Sequence, residues 1–280
     1  MSGARPYWII RRVLRWLVLL AITYLGIIVV LWFFERHLVF RPTSAAESWM
    51  PPVDGRSQDV SFVSSDGNTI HARWIPPETP QHGAILIAHG NGGNLTHRGP
   101  LAAELRKTLG AGTLLFDYPG YGKNAGVPTE EGCYASAEAA YKWLTDEQKI
   151  PPARIILCGE SLGGGPAVEL ATKHEHRALV LVFTFTSLPA AAKYHFPFLP
   201  VHTFMRTRFD NLAKIGRCTR PVFIVHGTDD RVVPFPHSEQ LFAAANEPKE
   251  FLRLEGQGHD LFIMDLYTSA LAAFLAKYAP

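Results

Sequence analysis

The pentapeptide Gly159-Glu160-Ser161-Leu162-Gly163 sets a serine between two glycines, after the apolar run Arg154–Cys158 and before a helical stretch. This is G-x-S-x-G at a strand–turn–helix junction. Chemistry at such a serine needs glycines on both sides, because the turn is too tight for side chains there. The turn lifts the Ser161 hydroxyl clear of a sheet, and the helix N-terminus behind it favours developing negative charge. Gly164 and Gly165 extend the small-residue stretch and permit close packing of helix on strand.

A serine hydroxyl is a weak nucleophile and needs a general base, usually histidine, held in one tautomer by a carboxylate. Around a G-x-S-x-G turn the partners follow in the order serine, acid, histidine. The last apolar run, Glu250–Leu254, leads into Glu255-Gly256-Gln257-Gly258-His259-Asp260, where glycines free the loop to bring His259 over the sheet. The other downstream histidines fit less well. His174 and His176 close a helix, His226 ends a strand, His195 and His202 lie in a proline-rich stretch, and His237 begins a helix. The orienting carboxylate belongs in His226-Gly227-Thr228-Asp229-Asp230-Arg231-Val232-Val233-Pro234. Residue type alone leaves Asp229 and Asp230 open, one as orienter and the other as turn former or cap.

Acyl transfer also needs donors for the oxyanion. The residue after the nucleophile, Leu162, supplies one backbone N–H. The loop His89-Gly90-Asn91-Gly92-Gly93-Asn94, after the run Ala84–Ala88, can point another at the same place. A phosphate loop is excluded, since no Lys-Ser/Thr follows these glycines. Asn94-Leu95-Thr96 matches a glycosylation sequon by coincidence in a catalytic loop.

These residues require a scaffold that gathers loops at one edge. A D-G turn at Asp66-Gly67 joins Val60–Ser64 to Thr69–Ile75 as a hairpin. Beyond it, the runs Ala84–Ala88, Thr113–Phe116, Arg154–Cys158, Leu179–Phe183, Val222–Val225 and Glu250–Leu254 alternate with helical stretches. The helices are expected at Arg98–Leu109, Glu131–Gln148, Leu162–His174, Pro236–Ala245 and Leu261–Tyr278. Strands apolar on both faces imply a mostly parallel sheet with helices on both faces, and sites at the strands' carboxyl ends. The excursion from 187 to 218 carries Tyr194, Phe196, Phe198, Leu199, Phe204 and Met205. It reads equally as a small apolar cap suited to an acyl chain or as a loop and helix packed on the core.

Residues 1–40 read as an N-terminal anchor. Trp16 to Phe34 is nineteen residues without a charge. As a helix it spans about 28 Å, close to the hydrocarbon core of a bilayer. The alternative, a cleaved signal peptide, is opposed by the length of the run and the lack of an A-x-A-like site. Arg5, Arg11, Arg12 and Arg15 precede the run and Arg36 and Arg41 follow it, which favours a cytoplasmic N-terminus and a periplasmic, luminal or extracellular domain. Residues 41–56, with prolines at 42, 51 and 52, read as a connector, and 57–280 as one α/β domain. A net charge of +2 gives no reason to expect a nucleic-acid partner. Cys133, Cys158 and Cys218 lie far apart, without zinc or disulfide spacing. The chemistry calls for no metal or cofactor.

Taken together, the sequence resembles membrane-anchored α/β-hydrolase-fold proteins of the abhydrolase-domain, Bem46-like type. The resemblance rests on His89–Asn94, Asp117-Tyr118-Pro119-Gly120-Tyr121-Gly122, Gly159–Gly163, Thr186-Ser187-Leu188-Pro189, Gly227–Pro234 and Gly258-His259, in that order, and covers roughly residues 35–275. It implies Asp230 as the acid, by the pattern G-x-x-D-x-x-V-P, and the backbone amides of Asn91 and Leu162 as oxyanion donors. One departure is Phe183-Thr184-Phe185, where similar proteins often carry Glu-Ser-Pro. The expected activity is hydrolysis of carboxylic esters, lipid or acyl-thioester substrates included, through an acyl-enzyme on Ser161. The rival expectations are a serine peptidase, or a binding protein that keeps the fold without the chemistry.

Overall fold

A strand such as Ala84–Ala88 offers no polar side chain to water, so it is stable only where both its faces are covered. The computed structural model, which describes residues 7–260 and 264–279, covers it on both sides. The order of elements is α1 (Tyr7–Val39), β1 (Arg41–Pro42), β2 (Gln58–Val63), β3 (Thr69–Ile75), β4 (Ala84–Ala88), β5 (Gly92–Gly93), α2 (Gly99–Leu109), β6 (Gly112–Phe116), α3 (Glu130–Lys142), β7 (Ile155–Glu160), α4 (Gly164–Ala171), β8 (Ala178–Val182), α5 (Leu188–His195), α6 (Val201–Phe204), α7 (Leu212–Ile215), β9 (Val222–Gly227), α8 (Pro236–Ala244), β10 (Lys249–Leu254) and α9 (Met264–Tyr278).

Among the described residues, eight strands form one sheet in the order β10-β9-β8-β7-β4-β6-β3-β2. The hairpin β2–β3 is antiparallel and joins β6 antiparallel, and the other pairings are parallel. Alternation along each strand divides the core. Leu86 and Leu157 face a layer that includes Ala137 of α3, Val168 of α4 and Leu241 of α8. Ile85, Ile87, Ile156 and Cys158 face Leu105 of α2 with Leu271 and Phe274 of α9. The mostly parallel sheet with helices on both faces, expected from the sequence, is present.

Several boundaries differ, each for a local reason. The expected helix Leu162–His174 begins as a 3-10 turn at Ser161–Gly163 and becomes α-helical at Gly164. The chain enters that turn through a left-handed Ser161, at φ 51°. The stretch expected as Glu131–Gln148 is α-helical only to Lys142 and closes as a wide π-turn over Trp143–Glu147. Of the expected helix Leu261–Tyr278, α9 begins at Met264, and residues 261–263 lie outside the described residues.

The N-terminal helix exceeds the expected span of residues 16–34. α1 has 33 residues, about 50 Å at 1.5 Å per residue. Its apolar run is exposed, which is compatible with a membrane anchor, whereas Glu35 and Val39 are buried against the domain. Residues 41–56 are stitched down rather than loose. β1 pairs in parallel with β5, Ala45 N–H donates to Gly122, and Asn94 donates its amide to the carbonyls of Thr43 and Ser48. Prolines and short polar residues read as a linker, because these partners lie 46 or more residues away in sequence.

The turn at Gly159–Gly163 owes its shape to close approaches that only glycine permits. A Cβ on Gly163 would overlap the carbonyl oxygen of Ala88, and one on Gly159 would sit 2.5 Å from the carbonyl of Gly163. The obstacles are backbone, so the neighbours cannot swing aside. Gly163→Ala is therefore expected to destabilise the fold by ~1–3 kcal/mol, the usual cost of overpacking. That corresponds to a fall in Tm of roughly 2–12 °C in a domain of this size, read by thermal unfolding in detergent. An unchanged Tm would contradict this packing.

Candidate active site

Four strand ends converge on one place. β7 delivers Ser161 at its tip. Its positive φ is a conformation that side chains rarely adopt, held by contacts on several sides. Thr184 donates its hydroxyl to the Ser161 carbonyl at 2.7 Å. Arg98 grips Glu160 in a two-pronged ion pair, with both N···O distances 2.6 Å. The residue between Gly159 and Ser161 is thus tied to the start of α2, on the far side of the turn.

β9 and β10 deliver the partners. His259 Nε2 lies 3.0 Å from the Ser161 hydroxyl oxygen, and His259 Nδ1 lies 2.7 Å from Asp230 Oδ2. A carboxylate can only accept, so Nδ1 carries the proton and Nε2 is free to accept from the serine. Of the two carboxylates left open by the sequence, Asp230 makes this contact, whereas Asp229 is exposed. Asp230 Oδ1 accepts the backbone N–H groups of Val232 and Val233, at 2.8 and 2.9 Å. Burial alone would raise its pKa. Hydrogen bonds from His226 and His259, then the His259 charge and the Val233 amide, hold it well below the usual carboxylate range.

His226 and His237, which fitted the base less well than His259 in the sequence, lie close to this carboxylate. His226 is fully buried, and its Nε2 lies 2.8 Å from the Val233 carbonyl and 3.1 Å from Asp230 Oδ2. Both are acceptors, so the proton sits on Nε2, and Nδ1 meets the Ser238 hydroxyl at 2.6 Å. Asp230 is therefore clamped between two imidazoles. The only sequence signal was position, since His226 ends the same strand that presents Asp230. His237 accepts the Thr186 N–H on Nδ1 at 3.3 Å. Burial, followed by the nearby His226 charge, pushes its pKa down to about 4. The departure Phe183-Thr184-Phe185 also acquires a place. The Phe183 ring packs 5.6 Å from that of His259 and 5.7 Å from that of His226, and Phe185 lines the cavity beside Ser161.

The two expected oxyanion donors, Asn91 and Leu162, line the same cavity as Ser161. The loop carrying Asn91 is braced from every side. His89 donates Nδ1–H to the Gly90 carbonyl at 2.7 Å, and its other nitrogen faces Asp117 at 3.2 Å in a fully buried setting. Tyr118 donates to the His89 carbonyl and Tyr121 to the Asn91 carbonyl, each at 2.7 Å. The Asp-Tyr-Pro-Gly-Tyr-Gly motif thus serves to brace this loop. From the other side, the Arg41 N–H reaches the Asn91 carbonyl at 3.0 Å, and the Asn91 side chain donates to the carbonyl of Val39, the last residue of α1.

The cavity over Ser161 has a volume of about 410 Å³. Its walls are mostly apolar and come from α5, α6, the loop around Phe196–Leu199, and the end of α1 through Leu31, Glu35, Leu38 and Val39. Residues of the 187–218 stretch thus contribute to the cavity wall. The described residues contain no cluster of histidine, cysteine or acidic side chains able to hold a metal ion. Cys133, Cys158 and Cys218 are buried and unpaired, and Cys158 packs in the core as a small apolar residue.

A mostly parallel sheet with Ser161 at a strand–helix turn, and Asp230 and His259 just after the second and third strands beyond it, is a hydrolase architecture. Residues 83–214 match the family described as the alpha/beta hydrolase fold. An uncharacterized protein of Mycobacterium tuberculosis is 36% identical over 272 residues, 96% of each chain. The alpha/beta hydrolase domain-containing protein 17B of Homo sapiens is 33% identical over 215 residues, 76% of this chain and 73% of that one. A solved esterase of Pyrococcus furiosus superposes with a TM-score of 0.71 at 21% identity, over 86% of this chain and all of that one, a likeness of fold. The chain belongs to the α/β-hydrolase family.

The buried neutral His237 has a consequence for pH dependence. Unfolded, a histidine titrates near pH 6.5, so between about pH 6.5 and 4 the unfolded chain binds a proton that the folded chain refuses. Stability from this group is complete above pH 6.5 and is lost as the pH falls towards 4. His237→Gln is expected to flatten the fall in Tm between pH 7 and pH 4.5. Parallel Tm–pH curves for the two proteins would show that His237 titrates as it does in the unfolded chain.

Proposed function

We propose that the chain is a serine hydrolase that cleaves carboxylic esters, of lipid or acyl-thioester type among them, from a membrane to which α1 anchors it. The observation that carries this reading is the unbroken Ser161–His259–Asp230 relay, with contacts of 3.0 and 2.7 Å, at the base of an apolar cavity. Ser161 Oγ attacks the carbonyl carbon as His259 Nε2 takes its proton. The oxyanion is met by the backbone amides of Asn91 and Leu162, each such donor being worth ~3–4 kcal/mol in the transition state. As the tetrahedral intermediate collapses, the bond to the leaving alcohol or thiol breaks and His259 returns the proton to it. The acyl group stays on Ser161. Water then repeats the cycle, giving up its proton to His259, and the fatty acid leaves with Ser161 restored. Asp230 remains ionised throughout, held so by its two histidines and two amides, and stabilises the imidazolium that forms at each step.

The apolar run of α1 supports the anchor, and Arg11, Arg12 and Arg15 before it support a cytoplasmic N-terminus with the catalytic domain on the opposite side. Arg5, the fourth arginine of that bias, lies outside the described residues.

The test is turnover of p-nitrophenyl esters of increasing acyl length by the full-length chain in detergent. Wild type is expected to prefer chains longer than acetyl, and Ser161→Ala to fall to background. Asp230→Asn is expected to lose on the order of 10³–10⁴-fold in kcat while KM changes little, since the acid acts on the transition state. Ester hydrolysis that survives in Ser161→Ala would overturn the proposal.

A further inference from the structure

The wall of the cavity contributed by α1 is unusual for an anchor, because a tether has no need to touch the site it carries. Here Leu31, Glu35, Leu38 and Val39 close one side of the cavity over Ser161. The contact continues down the helix. Tyr24, Ile28, Leu31, Glu35 and Val39, spaced three or four residues apart, form one stripe on α1. At its top, the buried Glu35 carboxylate accepts the backbone N–H of Thr207 at 2.7 Å and of Arg206 at 3.0 Å. The Arg206 guanidinium lies 4.3 Å over the Trp32 ring. At the bottom, the Tyr24 hydroxyl donates to the Phe198 carbonyl at 2.8 Å.

That last bond fixes a depth. Tyr24 lies eleven residues before Glu35, roughly 16 Å along the helix and inside the apolar run. The tip of the cap is therefore level with the middle of the anchor's apolar segment. It displays apolar side chains, with Phe198 88% exposed and Tyr194 and Phe196 also outward. Its backbone is suited to hydrocarbon, where an unsatisfied carbonyl costs several kcal/mol. The Phe198 carbonyl is taken by Tyr24 and the Pro197 carbonyl by Lys193 Nζ. Phe196 and Leu199, flanking the tip, line the cavity.

We propose that the cap tip at Phe196–Leu199 is immersed in the bilayer leaflet on the domain's side, and that the cavity opens sideways into that leaflet between the tip and α1, taking the acyl chain of a membrane-resident ester directly from the bilayer to Ser161. This rests on the reading of Ser161 as an ester-cleaving nucleophile and of α1 as the anchor. The Glu35 latch to Arg206 and Thr207 is the positioning contact, since it registers the cap against the helix and gives the buried Glu35 carboxylate of the wall its donors. The walls are mostly alkyl and aromatic, which fits a hydrocarbon chain and leaves the polar headgroup outside.

Two measurements on the full-length chain in phosphatidylcholine vesicles test this. In the first, Ser161→Ala is irradiated with a phosphatidylcholine bearing a diazirine on one acyl chain, and adducts are mapped by mass spectrometry. Adducts are expected on Phe185 or Val233, which line the cavity and are buried from the bulk bilayer. Adducts confined to outward residues of α1 would overturn the proposal. This readout needs no catalysis, so it decides the point even if no ester is cleaved, an outcome that would instead sink the functional reading. In the second, Phe198→Asp places a charge at the tip, outside the cavity wall. Hydrolysis of a long-chain ester embedded in the vesicles is expected to drop at least tenfold, with a soluble short-chain ester within twofold of wild type and Phe198→Leu normal on both. Equal effects of Phe198→Asp on the two esters would contradict sideways entry.

Discussion

The left-handed backbone at Ser161 is the constraint around which the rest of the molecule is arranged. A serine at φ 51° is held there at a cost in strain, so its neighbours must fix it. Gly159 and Gly163 let the turn close against Ala88, Thr184 holds the Ser161 carbonyl, and Arg98 ties down Glu160. Each of these partners comes from a different strand end or the helix after it. The sheet order, with β7 between β4 and β8, is what brings them within reach. The same order sets β9 and β10 on one side of Ser161 to supply Asp230 and His259, and β4 on the other to supply Asn91.

Charge in the site is managed by neighbours rather than by water. Asp230 is out of solvent, and its ionised form survives because His226, His259 and two backbone amides all donate to it. Both imidazoles meet the same oxygen, Oδ2, and the two amides hold Oδ1. The second histidine shares Oδ2 with His259 and helps to fix the carboxylate where it meets that ring. The Asn91 loop is braced in the same way, with His89, Tyr118 and Tyr121 on one side and the end of α1 on the other.

Where function demands a local pattern, the sequence was readable. Ala84–Ala88 and Ile155–Cys158 are apolar on both faces because they are central strands. Gly159–Gly163 is legible because the turn needs glycine for reasons confined to five residues. His259 stood out through its glycine-flanked loop, and Asp230 was separable from Asp229 only through the resemblance, since neither spacing nor residue type distinguishes adjacent aspartates in one loop. What escaped was the set of contacts made across long separations. His226 looks like any strand-end histidine until it is seen 3.1 Å from Asp230. Residues 41–56 read as a linker because β1 finds its partner at Gly92–Gly93. The docking of α1 left almost no trace, since most of its stripe lies within a run that is apolar on every side, where no periodicity marks one face.

The central claim is that Ser161 is a nucleophile activated by His259 and Asp230, and its most direct test is covalent. The full-length chain is incubated with an alkyl fluorophosphonate, its intact mass is measured, and the modified peptide is sequenced. The account predicts one adduct per chain, located on Ser161, and its loss in His259→Ala although the serine is still present. An unmodified chain, or an adduct on another residue, would contradict it.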